Sequence, residues 1–466
     1  QALTVGGAGN TTVSGVIGTT SGTLTKDGTG TLALSAANTY TGVTTVSAGA
    51  LEVRNNTALG TTAGATTVAA GAALEVDGSG LLIAEPLTLN GTGVAAAGSL
   101  RNLANANTWS GAITLATASR INSDAGTLTV SNTISGATRA LTVGGAGNTT
   151  VSGVIATTTG TLTKDGTGTL TLSANNTYTG LTTAGAGTLV VNGVQAASAV
   201  SLNGGTLGGT GTVGAITSAA LGGTVSPGQG PGILNSGNLN LSIGSPSFLV
   251  ELNGTTAGTG YDRLNVTGSV NLGGATLTAT VGFATSNGMT FTVIANDGAD
   301  AVTGTFAGLA EGSTVVLSGL GFTISYVGGT GNDVVLSRAA PTLVLGSSVL
   351  PAGTAPPGTD LTYTLTFTNA GGSAAHTLVL TDSVSINADF KLGSLASSLG
   401  STGLTVIVAY SSDGGSTWTY TPSSGAGGAP AGYDRLVTHL LWTFTGTLPH
   451  MVPDNTGSVG FVARIR

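Results

Sequence analysis

The stretch ALTVGGAGNTTVSGVI occupies residues 2–17 and returns letter for letter at 140–155. Extended to 2–53 and 140–191, the two copies differ at only 9 of 52 aligned positions. Fixed-period self-similarity in a chain dominated by Gly, Thr, Val and Leu is typical of stacked repeats. Val, Leu and Ile alternate with Thr, Ser and Gly, which favours strands over helices. The sequence therefore predicts an all-β solenoid.

A short motif recurs at half the spacing of the long copies. NTYTG begins at Asn38 and at Asn176, and the related NTWSG begins midway between them at Asn107. If each interval makes three turns, each turn holds about 23 residues, and residues 1 to about 335 make roughly fifteen turns of a three-sided coil. We expect the aromatic residues of the motif along one edge of the solenoid, as corner plugs or as a platform for sugar rings: Tyr40, Trp109 and Tyr178.

The composition excludes several functional classes. Charged residues make up 7% of the chain, the net charge is −7, and the lysines and arginines form no basic patch, so we expect no nucleic acid partner. The chain has no cysteine, which excludes disulfides, thiol catalysis and zinc–thiolate sites. No apolar run approaches the ~18 residues of a membrane helix, so we expect no transmembrane segment.

The pattern changes twice along the chain. At 221–240 the turns SPG and GPG interrupt the repeat, and longer strands follow up to GGTGNDVVLSR at 328–338. Residues 339–466 contain cleanly alternating segments with turns every eight to twelve residues, which is typical of an Ig-like β-sandwich. We predict two domains, a parallel β-helix over 1–338 and a sandwich over 339–466.

Two resemblances add to this prediction. The stretch 160–193 closely resembles the autotransporter-associated β-strand repeat, and the segments from about 221 to 338 are similar to the end of an autotransporter passenger. That resemblance implies a right-handed parallel β-helix displayed outside the cell. The run PGTDLTYTLTFTNAGGSAAHTLVLTD at 357–382 resembles an Ig-like surface-repeat family of bacterial and archaeal cell-wall proteins, a likeness that covers 341–466. That family implies an extracellular stalk or interaction module without catalytic residues.

One motif is typical of a metal site. GGTGNDVVL at 328–336 fits the calcium-binding nonapeptide pattern, although it occurs once and such sites need facing turns from successive copies. Asp333 with Asp297 and Asp300 is therefore a candidate calcium site, and a terminal turn before a last strand is the alternative. We otherwise expect no metal and no cofactor.

Acidic residues in the repeat region are too sparse to predict catalysis. Seven occur before residue 220: Asp27, Glu52, Glu75, Asp77, Glu85, Asp124 and Asp165. Asp27 and Asp165 each follow a lysine, Lys26 or Lys164, and are expected to form corner ion pairs. Glu75 and Asp77 share a strand face, but no partner acid or lysine is close to them in sequence. We expect no catalytic residues and no enzyme activity.

These predictions favour a structural function. The chain begins inside a repeat and ends in a strand, so we expect copies to join end to end, the 339–466 region of one contacting the first turns of the next. The leading hypothesis is the repeating subunit of an extracellular bacterial surface filament or sheath. A monomeric adhesin or stalk that binds a glycan or surface is the alternative, and a polysaccharide-active β-helix enzyme is the third. A signal peptide is expected to have been removed before Gln1.

Overall fold

The chain is almost entirely β-structure. The computed structural model describes all residues 1–466, and its helical turns are two 3₁₀ segments, Val94–Ala96 and Ala426–Gly428. Two compact units are present. The first comprises residues 1–284, 290–313 and 324–336, and the second comprises 285–289, 314–323 and 337–466. Because these units interleave between 285 and 337, the boundary at residue 338 stays a prediction.

The first unit contains a parallel β-solenoid of about 12 turns, and its strands stack into three faces. The first face contains Leu3–Val5, Leu24–Lys26, Thr44–Val46, Thr66–Val68, Leu87–Gly91, the start of Ile113–Ser123, Ile134–Ser135, Ile155–Ala156, Val194–Gln195, Thr212–Val213, Ile233–Ser236, Arg263–Val266 and Thr290–Asn296. The second contains Thr11–Val13, Thr31–Leu34, Ala50–Val53, Ala73–Val76, Leu100–Asn102, the end of Ile113–Ser123, Leu141–Gly144, Leu162–Lys164, Thr182–Ala184, Val200–Leu202, Ile216–Ser218, Leu239–Asn240 and Val270–Asn271. The third contains Leu82–Ile83, Ala106–Trp109, Thr127–Val130, Asn148–Val151, Thr169–Leu172, Thr188–Val191, Thr206–Gly209, Thr224–Pro227, Ser247–Leu252 and Thr276–Val281.

Most turns are shorter than the sequence predicted. The Thr31 amide donates to Asn10 Oδ1 across one turn, and these partners are 21 residues apart. A longer turn lies between Leu87 and Ile113, where Gly91 and its partner Thr117 are 26 residues apart. The predicted uniform turn length and the prediction of about fifteen turns are therefore wrong, because turn length varies with the corners while the strands keep their pairing.

The second sequence copy lies one face further round the solenoid than the first. Leu3–Val5 starts the first face, but its equivalent Leu141–Gly144 lies on the second, where Val143 pairs with Ile121. Six successive strand pairings on the second face connect Thr11 to Val143, and each pairing is one turn. Because Leu3–Val5 lies one face before Thr11–Val13, the two copies are separated by six turns plus one face.

This shift separates the aromatic residues of the short motif. Trp109 lies on the third face. In the next three turns its register position is occupied by Val130, Val151 and Leu172, and Tyr178 comes six residues after Leu172. Tyr178 follows the first face instead, because the Thr177 amide donates to the Ile155 carbonyl. The three aromatics therefore do not lie along one edge. The first motif interval makes the predicted three turns, from Tyr40 to Trp109, but the second makes three turns plus one face.

Stacked aliphatic side chains fill the solenoid. On the second face Leu32, Leu51, Leu74, Leu100 and Ile121 occupy one register position in successive turns, and all are fully buried. Main-chain pairing places similar side chains at the same height, so each turn covers the apolar surface of the one below. Small residues allow close stacking at corners: a Cβ on Gly28 (φ +72°) would lie 2.4 Å from the Gly7 nitrogen.

Strands that include an antiparallel pair follow the last parallel turns. They are Thr314–Leu317 and Leu320–Gly328, which pair antiparallel, and Asp333–Arg338.

The second unit contains antiparallel sheets. One has the order Leu343–Leu350, Asp360–Asn369, Thr456–Ile465, Ala388–Lys391 and Tyr433–Asp434, with Ala396–Ser398 also pairing with Thr456–Ile465. Another has Val379–Ser383, His439–Thr445 and Thr405–Ser411, and a two-stranded sheet has Ala375–His376 and Thr447–Leu448. A core of large apolar side chains from both larger sheets lies between them, including Phe367, Phe390, Leu440, Trp442 and Phe461.

The inward position of Val151 generates a stability prediction. Val151 is 1% exposed and lies in the ladder between Val130 and Leu172. Val151→Asp places an unpaired carboxylate among aliphatic side chains and should lower the free energy of unfolding by several kcal/mol, roughly 3–5. Chemical denaturation measures the change. Ser152→Asp, at an exposed neighbouring position, is the control and should be nearly neutral; equal effects of the two changes would contradict the inward placement.

Candidate functional sites

A cleft opens in the solenoid wall next to the first copy of the aromatic motif. Its volume is about 410 Å³, and it is lined by three successive turns of chain: 37–39, 56–62 and 82–85. Asparagine and threonine side chains are frequent in this lining, namely Asn38, Thr39, Asn56, Thr57, Thr61 and Thr62. The cleft therefore offers amide and hydroxyl groups beside an apolar wall.

Tyr40 lies buried next to this cleft. Its hydroxyl shares a 2.8 Å hydrogen bond with Thr44 Oγ1, and burial raises its pKa to about 12, so the hydroxyl stays protonated. Gly60 passes directly over the residue, since a Cβ there would lie 2.3 Å from the Tyr40 carbonyl oxygen. Tyr40 is thus a plug of the interior, and the alternative of an exposed sugar-stacking platform is wrong: Trp109 and Tyr178 are also fully buried.

Glu85 is a buried carboxyl at the inner side of the cleft. Its side chain accepts a 3.4 Å hydrogen bond from Thr66 Oγ1, and the residue is 3% exposed. Burial raises the pKa of Glu85 to about 7, which the Thr66 hydrogen bond only partly offsets. A group of this kind exchanges a proton near neutral pH.

The second sequence copy fills the equivalent space. Gln195 occupies the position that Thr57 holds in the first copy, and its side chain is buried with its Oε1 atom 3.1 Å from the Tyr178 hydroxyl. Ser198 adds a further hydrogen bond to Thr182, the residue that also contacts Tyr178. The cleft therefore arises from the divergent residues after position 53, and not from the repeated motif itself.

Charged side chains form a ladder on the second face. Glu52, Glu75, Arg101 and Asn122 occupy one register position in successive turns. Arg101 binds Glu75 at 2.9 Å and Asp124 at 2.8 Å, so it joins carboxylates from the turns on either side.

Two further arginines extend this ladder. Arg54 contacts Glu52 and lies 3.1 Å from Asp77. Arg120 binds Asp165 through two hydrogen bonds of 2.7 and 2.8 Å. Sequence analysis missed the pair Arg120 and Asp165 because they lie 45 residues apart. The spacing of one turn was the signal available: Asp124 lies 23 residues after Arg101, and only the longer spacing of 26 residues between Glu75 and Arg101 departs from the predicted turn.

The corner ion pairs predicted for Lys26 and Lys164 are wrong. Lys164 Nζ donates instead to the carbonyl oxygens of Asp165, Gly166 and Ala186, at 2.7, 2.8 and 3.1 Å. Lys26 repeats the arrangement with Asp27, Gly28 and Ala48. Burial lowers the pKa of Lys164 to about 8. Each lysine ties two successive turns together through main-chain oxygens, which leaves Asp165 to bind Arg120.

The candidate calcium residues lie in a turn held by internal hydrogen bonds. The Asp333 carboxylate accepts hydrogen bonds from the Asn296 and Thr330 amides, at 2.9 and 3.1 Å. Asp297 and Asp300 approach through their main-chain oxygens, both of which accept from the Asn332 side chain. The structure contains no group of three or more acidic or histidine side chains placed to hold a metal ion. Calcium binding at this turn stays a prediction.

Comparisons with known proteins agree with the repeat. The family Passenger-associated-transport-repeat matches residues 24–53 and 162–191, which are corresponding stretches of the two sequence copies. A relative from Brucella suis biovar 1 (strain 1330), named Adhesin BmaC autotransporter, is 49% identical over 61 residues, which is 12% of this chain and 2% of the relative. The chain thus spans a small fraction of the length of the curated relative it matches. No solved structure matches the chain, and none of its helices is long and apolar enough to cross a membrane.

The arginine ladder should contribute measurably to stability. Arg101→Ala leaves Glu75 and Asp124 stacked without a shared counter-charge and should lower the free energy of unfolding by about 1–3 kcal/mol, allowing for partial exposure of the pair. Thermal and urea unfolding measure the loss. Arg139→Ala removes an exposed arginine and serves as control; a loss no larger than that of the control would show that the ladder does not stabilise the fold.

The buried Glu85 carboxyl should make stability depend on pH. Its pKa is raised from 4.5 to about 7, so the folded state holds the proton across a window in which the unfolded state has lost it. Stability should therefore fall as pH rises from about 4.5 to about 7, by up to about 3 kcal/mol. Glu85→Gln should remove most of this dependence, measured by unfolding at several pH values. Asp27→Asn, at an exposed position, is the control, and parallel pH profiles for Glu85→Gln and the unaltered chain would contradict the assignment.

Proposed function

We propose that this protein is a non-enzymatic extracellular surface protein whose solenoid acts as an adhesin or stalk. The observation that carries the proposal is the repeat itself: residues 24–53 and 162–191 match a passenger repeat and form consecutive strands of a parallel solenoid. A stack of this kind holds a long rigid wall by main-chain pairing and needs neither cysteine nor a cofactor.

The charged residues of the wall support a non-catalytic role. Glu52, Glu75 and Asp165 each contact an arginine, so their carboxylates are neutralised by structural contacts. Glu85 is a single carboxyl in its cleft, whereas hydrolysis of a glycosidic bond usually takes two. Polysaccharide cleavage is therefore the least supported of the three hypotheses.

We assign binding to the cleft between residues 37 and 85. Its exposed Asn56, Thr57 and Thr61 side chains supply hydrogen-bond donors and acceptors, and the exposed Leu82 supplies apolar surface. A hydroxylated ligand such as a saccharide suits this combination, because sugars present hydroxyl groups at the edges of apolar ring faces. The second copy, in which Gln195 is buried against Tyr178, provides an internal comparison.

The second unit fits a stalk or interaction module. Its antiparallel sheets, and the resemblance of 357–382 to cell-wall surface repeats, support an Ig-like domain over 341–466. Both parts then belong outside the cell, in a protein secreted by way of a signal peptide.

The repeating subunit of an end-to-end filament is the second candidate. The observation that favours it is the strand Leu343–Leu350, an exposed edge that could recruit a strand from the first turns of another copy. Few charges are available for such a joint, so its strength would depend little on salt.

Binding of the purified full chain to a glycan array and to fixed cells tests the adhesin proposal. We expect saturable binding that Thr61→Arg weakens at least roughly tenfold, because the long side chain fills the mouth of the cleft. Thr179→Arg places the same side chain beside Tyr178, where Gln195 fills the equivalent space, and should bind normally.

Three outcomes separate the alternatives. Binding that Thr61→Arg leaves unchanged would reject the cleft as the binding site. Absence of any binding, together with filaments in negative-stain images, would favour the filament candidate. New reducing ends released from a polysaccharide would reject the non-enzymatic assignment.

A further inference from the structure

The strand Leu343–Leu350 forms an open edge of the second unit. It pairs on one side with Asp360–Asn369 along its whole length, from Leu343 opposite Asn369 to Leu350 opposite Thr362. On its other side the sheet has no further strand. All eight residues are exposed, on both faces of the strand.

This edge lacks the features that normally prevent edge-to-edge association. Its sequence, LVLGSSVL, contains no charge and no proline, and its register shows no bulge. Five of its eight side chains are large and apolar, and they are between 37% and 63% exposed: Leu343, Val344, Leu345, Val349 and Leu350. Natural edge strands usually carry lysine, proline or a bulge because an open, apolar edge recruits other strands.

Symmetry restricts how two copies of one edge can pair. Along a strand, alternate residues direct their N–H and C=O groups to the same edge, so two identical edges in antiparallel pairing place one residue opposite itself. A two-fold axis passes through that residue pair.

The sequence of this strand is self-complementary about Ser347. Moving outward from Ser347, the residues at equal distances on its two sides are Gly346 and Ser348, Leu345 and Val349, and Val344 and Leu350. Pairing about Ser347 therefore places small residues opposite small residues and apolar residues opposite apolar residues. Pairing about Gly346 would instead place serines opposite Leu345 and Val344, which matches the side chains less well.

We propose that Leu343–Leu350 pairs antiparallel with the same strand of a second copy, with Ser347 at the two-fold axis. Leu345 then contacts Val349 of the other copy, and Val344 contacts Leu350. The two sheets become one continuous sheet across the contact. The contact is closed, so it gives a dimer and occupies the edge that an end-to-end filament would need. It does not depend on the adhesin proposal.

Sedimentation of the full chain over the micromolar concentration range tests the dimer. Leu345→Lys should weaken it at least roughly tenfold, because two lysines would each face an apolar side chain across the axis. The double change Leu345→Lys with Val349→Glu should restore it, since each lysine then faces a glutamate. Leu345→Lys with Val349→Lys should remain monomeric.

Ile407→Lys is the matched control. Ile407 is 71% exposed and lies on another edge strand of the same unit, Thr405–Ser411. The control should leave the dimer intact, and circular dichroism of every variant checks that the fold is kept. A monomeric unaltered chain, or a dimer that survives Leu345→Lys, would overturn the proposal.

Crosslinking tests the register separately. The chain has no cysteine, so S347C introduces one thiol per copy, placed opposite itself at the axis. Oxidised glutathione should convert S347C to a disulfide-linked dimer much faster than S416C, which lies in an exposed loop. Equal crosslinking rates for the two variants would show that Ser347 is not at the axis.

Discussion

In-register parallel hydrogen bonding between turns is the constraint on which the solenoid depends. Each turn must return its strands to the same height as those below, as Leu3, Leu24 and Thr44 do. Side chains at one register position therefore stack, and every choice of residue is repeated along the wall. This rule explains why leucine ladders fill the interior, and why carboxylates stacked like those of Glu52 and Glu75 each have an arginine partner.

The polar residues of the first unit serve this stacking. Lys26 and Lys164 donate to main-chain oxygens of two turns, and Arg101 and Arg120 join carboxylates that are far apart in sequence. In a chain with 7% charged residues, most charges of the repeat region are thus used for cohesion between turns. Glu85 differs, because it lies alone beside a cleft, and the proposed binding function accordingly centres on that cleft.

The parallel solenoid could be predicted from the repeat, since period-two alternation and near-identical copies both indicate stacked strands. The length of the turns could not be predicted from the NTYTG motif, because the motif marks a local corner. Its even spacing gives no sign of the one longer turn or of the shift by one face between the two copies. The contact between Glu75 and Arg101 was missed because it spans that longer turn, of 26 residues. The cleft could not be predicted from the repeat, because it depends on residues 56–62, where the two copies differ. The sequence of Leu343–Leu350 predicts a strand but not that the strand lies at an edge, which only its pairing with a single neighbour shows.

The most direct test of the account is a disulfide that reports the turn register. Thr150 pairs with Thr171 of the next turn on the third face. The double variant T150C/T171C should therefore form an intramolecular disulfide readily. T150C/S173C instead matches the longer turn that the motif spacing predicts, and it should form the disulfide slowly or not at all. Efficient crosslinking of T150C/S173C and failure of T150C/T171C would contradict the register from which the ladders, the cleft and the face shift all follow.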